Sequence, residues 1–165
     1  MLKYVDAKVV FAEVPDEVTL AINISNCPCQ CKGCHSSYLA QDIGTELTFN
    51  EIRKLVKKNS GVSCIALMGG DAEPKRINDL ASFIMHHYSL KVAWYSGKQE
   101  LSKYIDFGNF DYIKLGPYIE ELGPLNSRTT NQRVYKRELL NYEDGTSGYE
   151  LVDITNRFWK HETEN

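Results

Sequence analysis

Four of the five cysteines lie within eight residues, at Cys27, Cys29, Cys31 and Cys34, and the fifth is Cys64. A disulfide-stabilised scaffold distributes its cysteines along a secreted chain, where they join distant loops. The opening residues 1–6 lack the apolar stretch of a secretory signal. The clustered cysteines therefore favour a ligated metal or iron–sulfur centre, and the chain is expected to be cytoplasmic.

The spacing of Cys27, Cys31 and Cys34 is Cys-x3-Cys-x2-Cys. One loop with closely spaced cysteines can wrap a compact 4Fe–4S cluster. Three thiolates would bind three irons and leave the fourth open to a substrate, as catalytic metal sites keep an open position. The role of Cys29 stays open between three alternatives. It is a fourth ligand in a closed zinc or electron-transfer site, a small, partly buried thiol, or a replacement ligand in oxidised protein. Cys64 lies in an apolar strand and is expected to belong to the core.

Strand and helix patterns alternate along the chain. Residues 18–25 alternate apolar with small or polar side chains, as a half-buried strand does. Thr48 and Glu51 form the sequence pattern of a capping box, with Leu47 and Ile52 as a hydrophobic staple. The predicted strands are 18–25, 62–68, 91–95, 112–115 and 149–154, and the predicted helices begin at 48 and 74, with a short one at 101–105.

This alternation predicts right-handed crossovers and a mainly parallel sheet. A closed eight-stranded barrel needs about 200 residues or more. The chain of 165 residues is therefore expected to form one domain of the α/β class, an open partial (β/α) barrel of five to six mainly parallel strands. The cysteine loop and Gly69-Gly70-Asp71 both follow predicted strands, so they are expected to meet at the carboxyl ends of those strands.

Charge and hydropathy exclude two classes of partner. The net charge is -3, and acidic and basic residues are mixed along the chain, which argues against nucleic acid. No stretch approaches the roughly 18 consecutive apolar residues that predict a membrane helix. Neither nucleic acid nor a membrane is an expected partner.

Taken with its order of motifs, the chain resembles the radical S-adenosylmethionine enzymes. Within them it is most similar to the activating proteins of the anaerobic (class III) ribonucleoside-triphosphate reductases. The resemblance covers residues 18–137. Besides the cysteines it rests on Gly69-Gly70-Asp71, Trp94-Tyr95-Ser96-Gly97, Gly116-Pro117-Tyr118 and the Arg128-Thr129-Thr130-Asn131-Gln132-Arg133 segment.

The resemblance implies a role for each matching residue. Cys27, Cys31 and Cys34 would hold the 4Fe–4S cluster. Gly69, Gly70 and Asp71 would meet the amino group of S-adenosylmethionine, through glycine carbonyls and the Asp71 carboxylate. The backbone of Gly33, Cys34 and His35 would lie on the adenine side.

Several positions depart from the family pattern or stay open. Gly33 and His35 stand where an aromatic residue is common, and His35 is either an adenine contact or a surface residue. Asp71 replaces a glutamate and has a shorter reach. The segment from Arg128 to Arg133 is either a clamp for a partner or cofactor, or a solvated turn with a threonine helix cap. Lys114, near a strand end, is expected to be solvated.

The resemblance implies an oxidoreductase that needs no catalytic side chain, because the cluster and S-adenosylmethionine carry the chemistry. Its protein substrate would be the large subunit of the anaerobic reductase, on which it would generate a glycyl radical, with an external one-electron donor. The alternatives are an activase of another glycyl-radical enzyme, a zinc-stabilised binding module with four cysteine ligands, and a simple electron carrier.

Overall fold

A computed structural model of the chain describes residues 1–159, which share one open sheet of eight strands. The order of strands across the sheet is β3-β1-β2-β4-β5-β6-β7-β8. Their bounds are β1 Lys3–Val10, β2 Thr19–Ile24, β3 Thr45–Glu46, β4 Cys64–Met68, β5 Lys91–Tyr95, β6 Tyr112–Leu115, β7 Arg133–Asn141 and β8 Ser147–Asp153.

The centre of the sheet is parallel and its flanks are antiparallel. Strands β2, β4, β5 and β6 pair in parallel, as the alternation of strands and helices predicts. On one side β1 and β3 are added antiparallel, and on the other side β7 and β8 form an antiparallel hairpin. The α/β class and the open sheet are confirmed, but a mixed sheet of eight strands with two α-helices within residues 1–159 does not match the expected partial (β/α) barrel well. The expected five to six mainly parallel strands are replaced by eight strands, of which four form the parallel core.

Two α-helices connect the parallel strands. Helix α1 spans Phe49–Lys58 and α2 spans Pro74–His87. The Thr48 hydroxyl accepts a hydrogen bond from the Glu51 amide at 3.1 Å, which confirms the predicted N-cap. The Glu51 carboxylate does not complete the box and instead accepts from the Tyr4 hydroxyl at 2.7 Å. Pro74 opens the first turn of α2, where no amide donor is needed.

The sheet is buried on both faces by two distinct sets of apolar residues. Helices α1 and α2 cover one face, and this larger core includes Leu67, Leu80 and Trp94. The second face carries Cys64, Ala66, Ala93, Tyr112 and Val134, packed with residues from remote parts of the chain such as Val14, Leu125, Ile154 and Phe158. Cys64 is fully buried in this second layer, as predicted.

Of the remaining secondary-structure predictions, one helix is wrong and one strand is confirmed. Residues 101–105 do not form the expected short helix; the only helical turn between β5 and β6 is a 3-10 helix over Phe107–Asn109. The predicted last strand is confirmed as β8, whereas β1, β3 and β7 have no counterpart in the sequence-based assignment. Within residues 1–159, no helix has the length and apolar character needed to cross a membrane.

Candidate functional site

Four loops meet at the carboxyl edge of the parallel core. The cysteine loop follows β2, Gly69 follows β4, Ser96 follows β5 and Gly116 follows β6. The Cys29 Sγ atom lies 3.9 Å from Asp71 Oδ2, and a Cβ placed on Gly97 would lie 2.6 Å from the same sulfur. The predicted convergence of the cysteine loop and the Gly-Gly-Asp element is therefore confirmed, and the Ser96-Gly97 turn joins them.

The cysteine loop is held by the chain that flanks it. The Asn26 amide donates to the Gln41 carbonyl and the Cys27 amide to the Leu39 carbonyl, both at 2.9 Å. Asn26 and Gln30 adopt positive φ angles of 59° and 44°, a region that side chains other than glycine rarely occupy. These turns fold the loop back on itself within a few residues. They bring Cys27, Cys31 and Cys34 to the wall of one cavity of about 340 Å³, which Gln30, Ser36, Ser37 and Ala40 complete.

Cys29 is oriented differently from the other three cysteines of the loop. It does not line the 340 Å³ cavity, and its thiol faces Asp71 and Gly97 instead. Burial, followed by the nearby Asp71 carboxylate and Cys27, raises the pKa of the Cys29 thiol to about 12. The orientation of its thiol therefore separates Cys29 from the three cysteines of the cavity.

The three cavity cysteines line one volume and do not converge on one point. Among residues 1–159, no group of three or more His, Cys, Asp or Glu side chains is placed to hold a metal ion. In a cubane cluster each thiolate binds a different iron, so its ligands line a volume instead of converging on one atom. Three thiols on the wall of one ligand-sized cavity fit this requirement.

The Gly69-Gly70-Asp71 turn is fixed by its own hydrogen bonds. Gly69 and Gly70 have φ angles of 100° and 85°. The Trp94 Nε1 donates to the Gly69 carbonyl at 2.8 Å, and the Glu73 amide donates to the Gly70 carbonyl at 3.0 Å. The two carbonyl oxygens therefore already accept one hydrogen bond each, and each keeps one further lone pair for a ligand.

The Asp71 carboxylate is oriented by the turn after β5. Its Oδ1 accepts from the Ser96 hydroxyl at 2.5 Å, and its Oδ2 accepts from the Gly97 amide at 2.9 Å. Asp71 also lines a neighbouring cavity of about 420 Å³, together with Trp94 and Lys98. The carboxylate thus stands between the cysteine loop and this second cavity. Its Oδ2 also accepts from the Cys29 thiol, so the lone pair still available is on Oδ1.

A row of side chains crosses the second face of the sheet directly beneath these loops. The strand register pairs Asn23 with Met68, Met68 with Tyr95 and Tyr95 with Lys114, and in-register residues of neighbouring strands share a face. The row ends at Lys114 on β6. The row therefore crosses all four parallel strands near their carboxyl ends, on the face of the sheet opposite α1 and α2.

Lys114 is buried, so the expectation that it is solvated is wrong. Only 9% of it is exposed, and its ammonium donates to the carbonyls of Ser96 at 3.2 Å and Gly116 at 2.6 Å. Burial lowers the pKa of Lys114 to about 8, although Asp71 and the thiols of Cys31, Cys29 and Cys34 each act in the opposite direction. The available signal in the sequence was its position two residues before Gly116, at the same strand end as the cysteine loop.

Gly33 and His35, predicted to lie on the adenine side, differ in their surroundings. Gly33 has a φ of 75°, and a Cβ there would lie 3.3 Å from the carboxyl carbon of Glu120. The loop after β6 therefore closes over the cysteine loop at this glycine. His35 is exposed, which matches the surface alternative, and its contact with adenine stays a prediction.

The segment from Arg128 to Arg133 is divided. Arg128 and Thr129 are exposed in a turn, as the solvated-turn alternative expects, whereas the rest of the segment is packed. Thr130 and Gln132 are buried, and the Asn131 side-chain amide donates to the Pro117 carbonyl at 3.0 Å. No helix follows the threonines, because Arg133 begins β7. The segment thus lies against the loop after β6, and its role as a clamp stays a prediction.

No protein-family model, curated protein or solved structure matches the chain. The roles assigned to the site consequently remain those that the resemblance of its motifs implies, and the structure adds their geometry.

Proposed function

We propose that the protein is a radical S-adenosylmethionine activase that generates a glycyl radical on the large subunit of an anaerobic ribonucleoside-triphosphate reductase. The observation that carries the proposal is the contact between the cysteine loop and the Gly-Gly-Asp turn, where Cys29 Sγ lies 3.9 Å from Asp71 Oδ2. This contact puts a candidate cluster-binding cavity beside a candidate site for the methionine end of S-adenosylmethionine.

Each group at the site would have a defined part. Cys27, Cys31 and Cys34 would hold the 4Fe–4S cluster as thiolates. When bound, the cluster and S-adenosylmethionine would supply, with an electron from the external donor, a reductive cleavage of the S–C5′ bond that releases methionine and allows a hydrogen atom to be removed from a glycine of the partner. The free lone pairs of the Gly69 and Gly70 carbonyls and of Asp71 would accept from the substrate ammonium, and a position fixed in advance lowers the entropic cost of reaction.

The parallel core is the part of the fold that supports this function. It supplies four carboxyl ends at one edge, with the cysteine loop after the first strand and Gly69 after the second. A partial barrel of the radical S-adenosylmethionine type would be formed by this core. The antiparallel strands β1, β3, β7 and β8 are additions that such a barrel does not require.

The test is anaerobic reconstitution with iron and sulfide, followed by addition of a strong one-electron reductant and S-adenosylmethionine. We expect roughly four irons per chain, since one cubane cluster is bound, and we expect release of 5′-deoxyadenosine. Addition of the reductase subunit should then give a glycyl radical detectable by electron paramagnetic resonance. A radical that forms only on another glycyl-radical enzyme would redirect the proposal to that partner.

Two neighbouring cysteines give matched variants. Cys31→Ser should abolish both the bound cluster and the release of 5′-deoxyadenosine, because Cys31 lines the cavity. Cys29→Ser should retain the cluster, because its thiol faces Asp71. Loss of bound metal from Cys29→Ser, with zinc in the wild-type protein, would support a four-cysteine zinc module. A stable cluster without binding of S-adenosylmethionine would support a simple electron carrier.

A further inference from the structure

Lys114 is a buried cation without a carboxylate on its ammonium group. Its two hydrogen bonds go to the backbone carbonyls of Ser96 and Gly116, and no ion pair of Lys114 exists within residues 1–159. The nearest carboxylate that acts on it is Asp71, whose oxygens already accept from Ser96 and Gly97. A buried charge that is not paired is costly, and most proteins avoid it.

The surroundings of Lys114 indicate what compensates its charge. Ser96, whose carbonyl accepts from the ammonium, precedes Gly97, which packs against the Cys29 sulfur. The thiols of Cys31 and Cys34, on the wall of the 340 Å³ cavity, lie near enough that each raises the pKa of Lys114. The anionic groups that act on the ammonium are therefore Asp71 and whatever the cavity thiolates hold.

We propose that Lys114 is a positioning residue whose positive charge raises the reduction potential of the cluster bound by Cys27, Cys31 and Cys34. The inference rests on the proposed function, since it requires that cluster. Reduction adds one negative charge to the cluster, and a fixed cation in a water-poor environment stabilises the reduced form more than the oxidised form. Lys114 thereby eases transfer of an electron from the external donor.

Lys32 provides a matched control in the same loop. It lies directly after Cys31 and carries the same charge, but its side chain is exposed to solvent. Water and salt screen an exposed charge much more than a buried one. Distance along the chain would favour Lys32 as the residue that sets the potential, whereas burial favours Lys114.

The experiment compares the wild-type protein with Lys114→Gln, Lys114→Arg and Lys32→Gln, each reconstituted with iron and sulfide. The midpoint potential of each cluster is measured by anaerobic titration without S-adenosylmethionine. Glutamine keeps a side-chain donor but removes the charge, so Lys114→Gln should make reduction at least tenfold less favourable, a shift of 59 mV to more negative potential. Lys114→Arg and Lys32→Gln should remain near the wild-type value.

The outcomes separate this inference from the function on which it rests. A wild-type protein that binds no cluster contradicts the proposed function. A wild-type cluster whose potential is unchanged in Lys114→Gln, or is changed equally in Lys32→Gln, overturns the inference alone. Should Lys114→Gln not fold, Lys114→Met removes the same charge. Failure of both neutral variants to fold, with Lys114→Arg intact, would assign the charge a role in folding and also overturn it.

Discussion

Each end of the parallel core holds a lysine, and the pKa values of the two lysines shift in opposite directions. At the amino end, the Lys91 ammonium bonds the buried carboxylate of Glu17, which also accepts from the Ser63 hydroxyl at 2.5 Å. This hydrogen bond raises the pKa of Lys91. At the carboxyl end, Lys114 bonds only to carbonyls, and burial lowers its pKa to about 8.

The two ends thus differ in how their charges are compensated: the charges around Lys91 are paired with opposite charges, whereas the Lys114 ammonium bonds to carbonyls. Around Lys91 every charge has its counter-charge within the chain, since Asp111 likewise bonds the Val92 amide and Arg137. Around Lys114 the chain places three thiols and the Asp71 carboxylate, whose oxygens accept hydrogen bonds from Ser96 and Gly97. Positive φ angles also occur at this end, at Gly69, Gly70 and Gly116, which glycine adopts without strain and other residues rarely do.

The largest expected effect is the loss of stability when alanine replaces Gly70. Alanine at Gly61, at the other end of the same strand, is the control. Gly70 follows β4 with a φ of 85°, and a Cβ there would lie 2.4 Å from Ile77 Cδ1 in the buried core. Gly70→Ala should lower the free energy of unfolding by about 2–4 kcal/mol, from backbone strain and overpacking together. Gly61 precedes β4 and has no atom within 4 Å of an added Cβ.

Gly61→Ala is therefore the control, and it should be neutral or stabilising by up to about 1 kcal/mol. Urea unfolding of both variants, followed by circular dichroism, measures the difference. Equal losses at Gly61 and Gly70 would contradict the claim that the turn at the carboxyl end requires glycine.

The parallel core was predictable because its signals are local. The apolar periodicity of residues 18–25 and the Thr48 cap each specify an element within a few residues, and the structure places β2 and α1 there. The flanking strands lack such a signal. Strand β1 has charged residues Lys3, Asp6 and Lys8 among its apolar ones, and it forms through its register with β2. Pairing of that kind depends on a partner distant in sequence, which a local pattern does not contain.

The site was predictable to the level of its loops but not of its side chains. Parallel strands place their carboxyl ends at one edge, so the meeting of the cysteine loop with Asp71 follows from the order of elements. The burial of Lys114 depends instead on the second face of the sheet, which is covered by residues near 14, 125 and 154–158. The orientation of Cys29 depends on Gly97, a residue of another strand end. Neither the burial of Lys114 nor the orientation of Cys29 can be predicted from the residues next to it in the sequence.

The second prediction uses pH to distinguish the two lysines in the metal-free protein. The pKa of Lys114 falls from 10.5 to about 8 on folding, so its unfolded state binds more protons between these values. Its contribution to stability therefore increases as pH rises from about 8 to 10.5, by at most about 3 kcal/mol. The pKa of Lys91 is raised, so its contribution is complete below 10.5 and is lost only as pH rises further.

Lys114→Met and Lys91→Met isolate these contributions, because Cys29 and Cys64, which also titrate with raised pKa values, are common to both proteins. Urea unfolding between pH 7.5 and 10 under reducing conditions measures them. The stability of wild type relative to Lys114→Met should rise with pH, and that relative to Lys91→Met should stay level. A level difference for Lys114 would mean that water reaches its ammonium.

The smallest expected effect is at the amino end, where Glu17→Gln removes the counter-charge of Lys91. The Glu17 side chain is 6% exposed but that of Lys91 is 49% exposed, so water partly replaces the lost partner. Glutamine also keeps an acceptor for the Ser63 hydroxyl. We expect a loss of about 1–2 kcal/mol in urea unfolding, as for a hydrogen bond to a charged group.

Glu121→Gln, at an exposed position beside the other end of the core, should stay within about 0.5 kcal/mol of wild type. A loss at Glu17 no larger than that at Glu121 would show that the amino end is not stabilised by its paired charges, and the contrast between the two lysines would then rest on Lys114 alone.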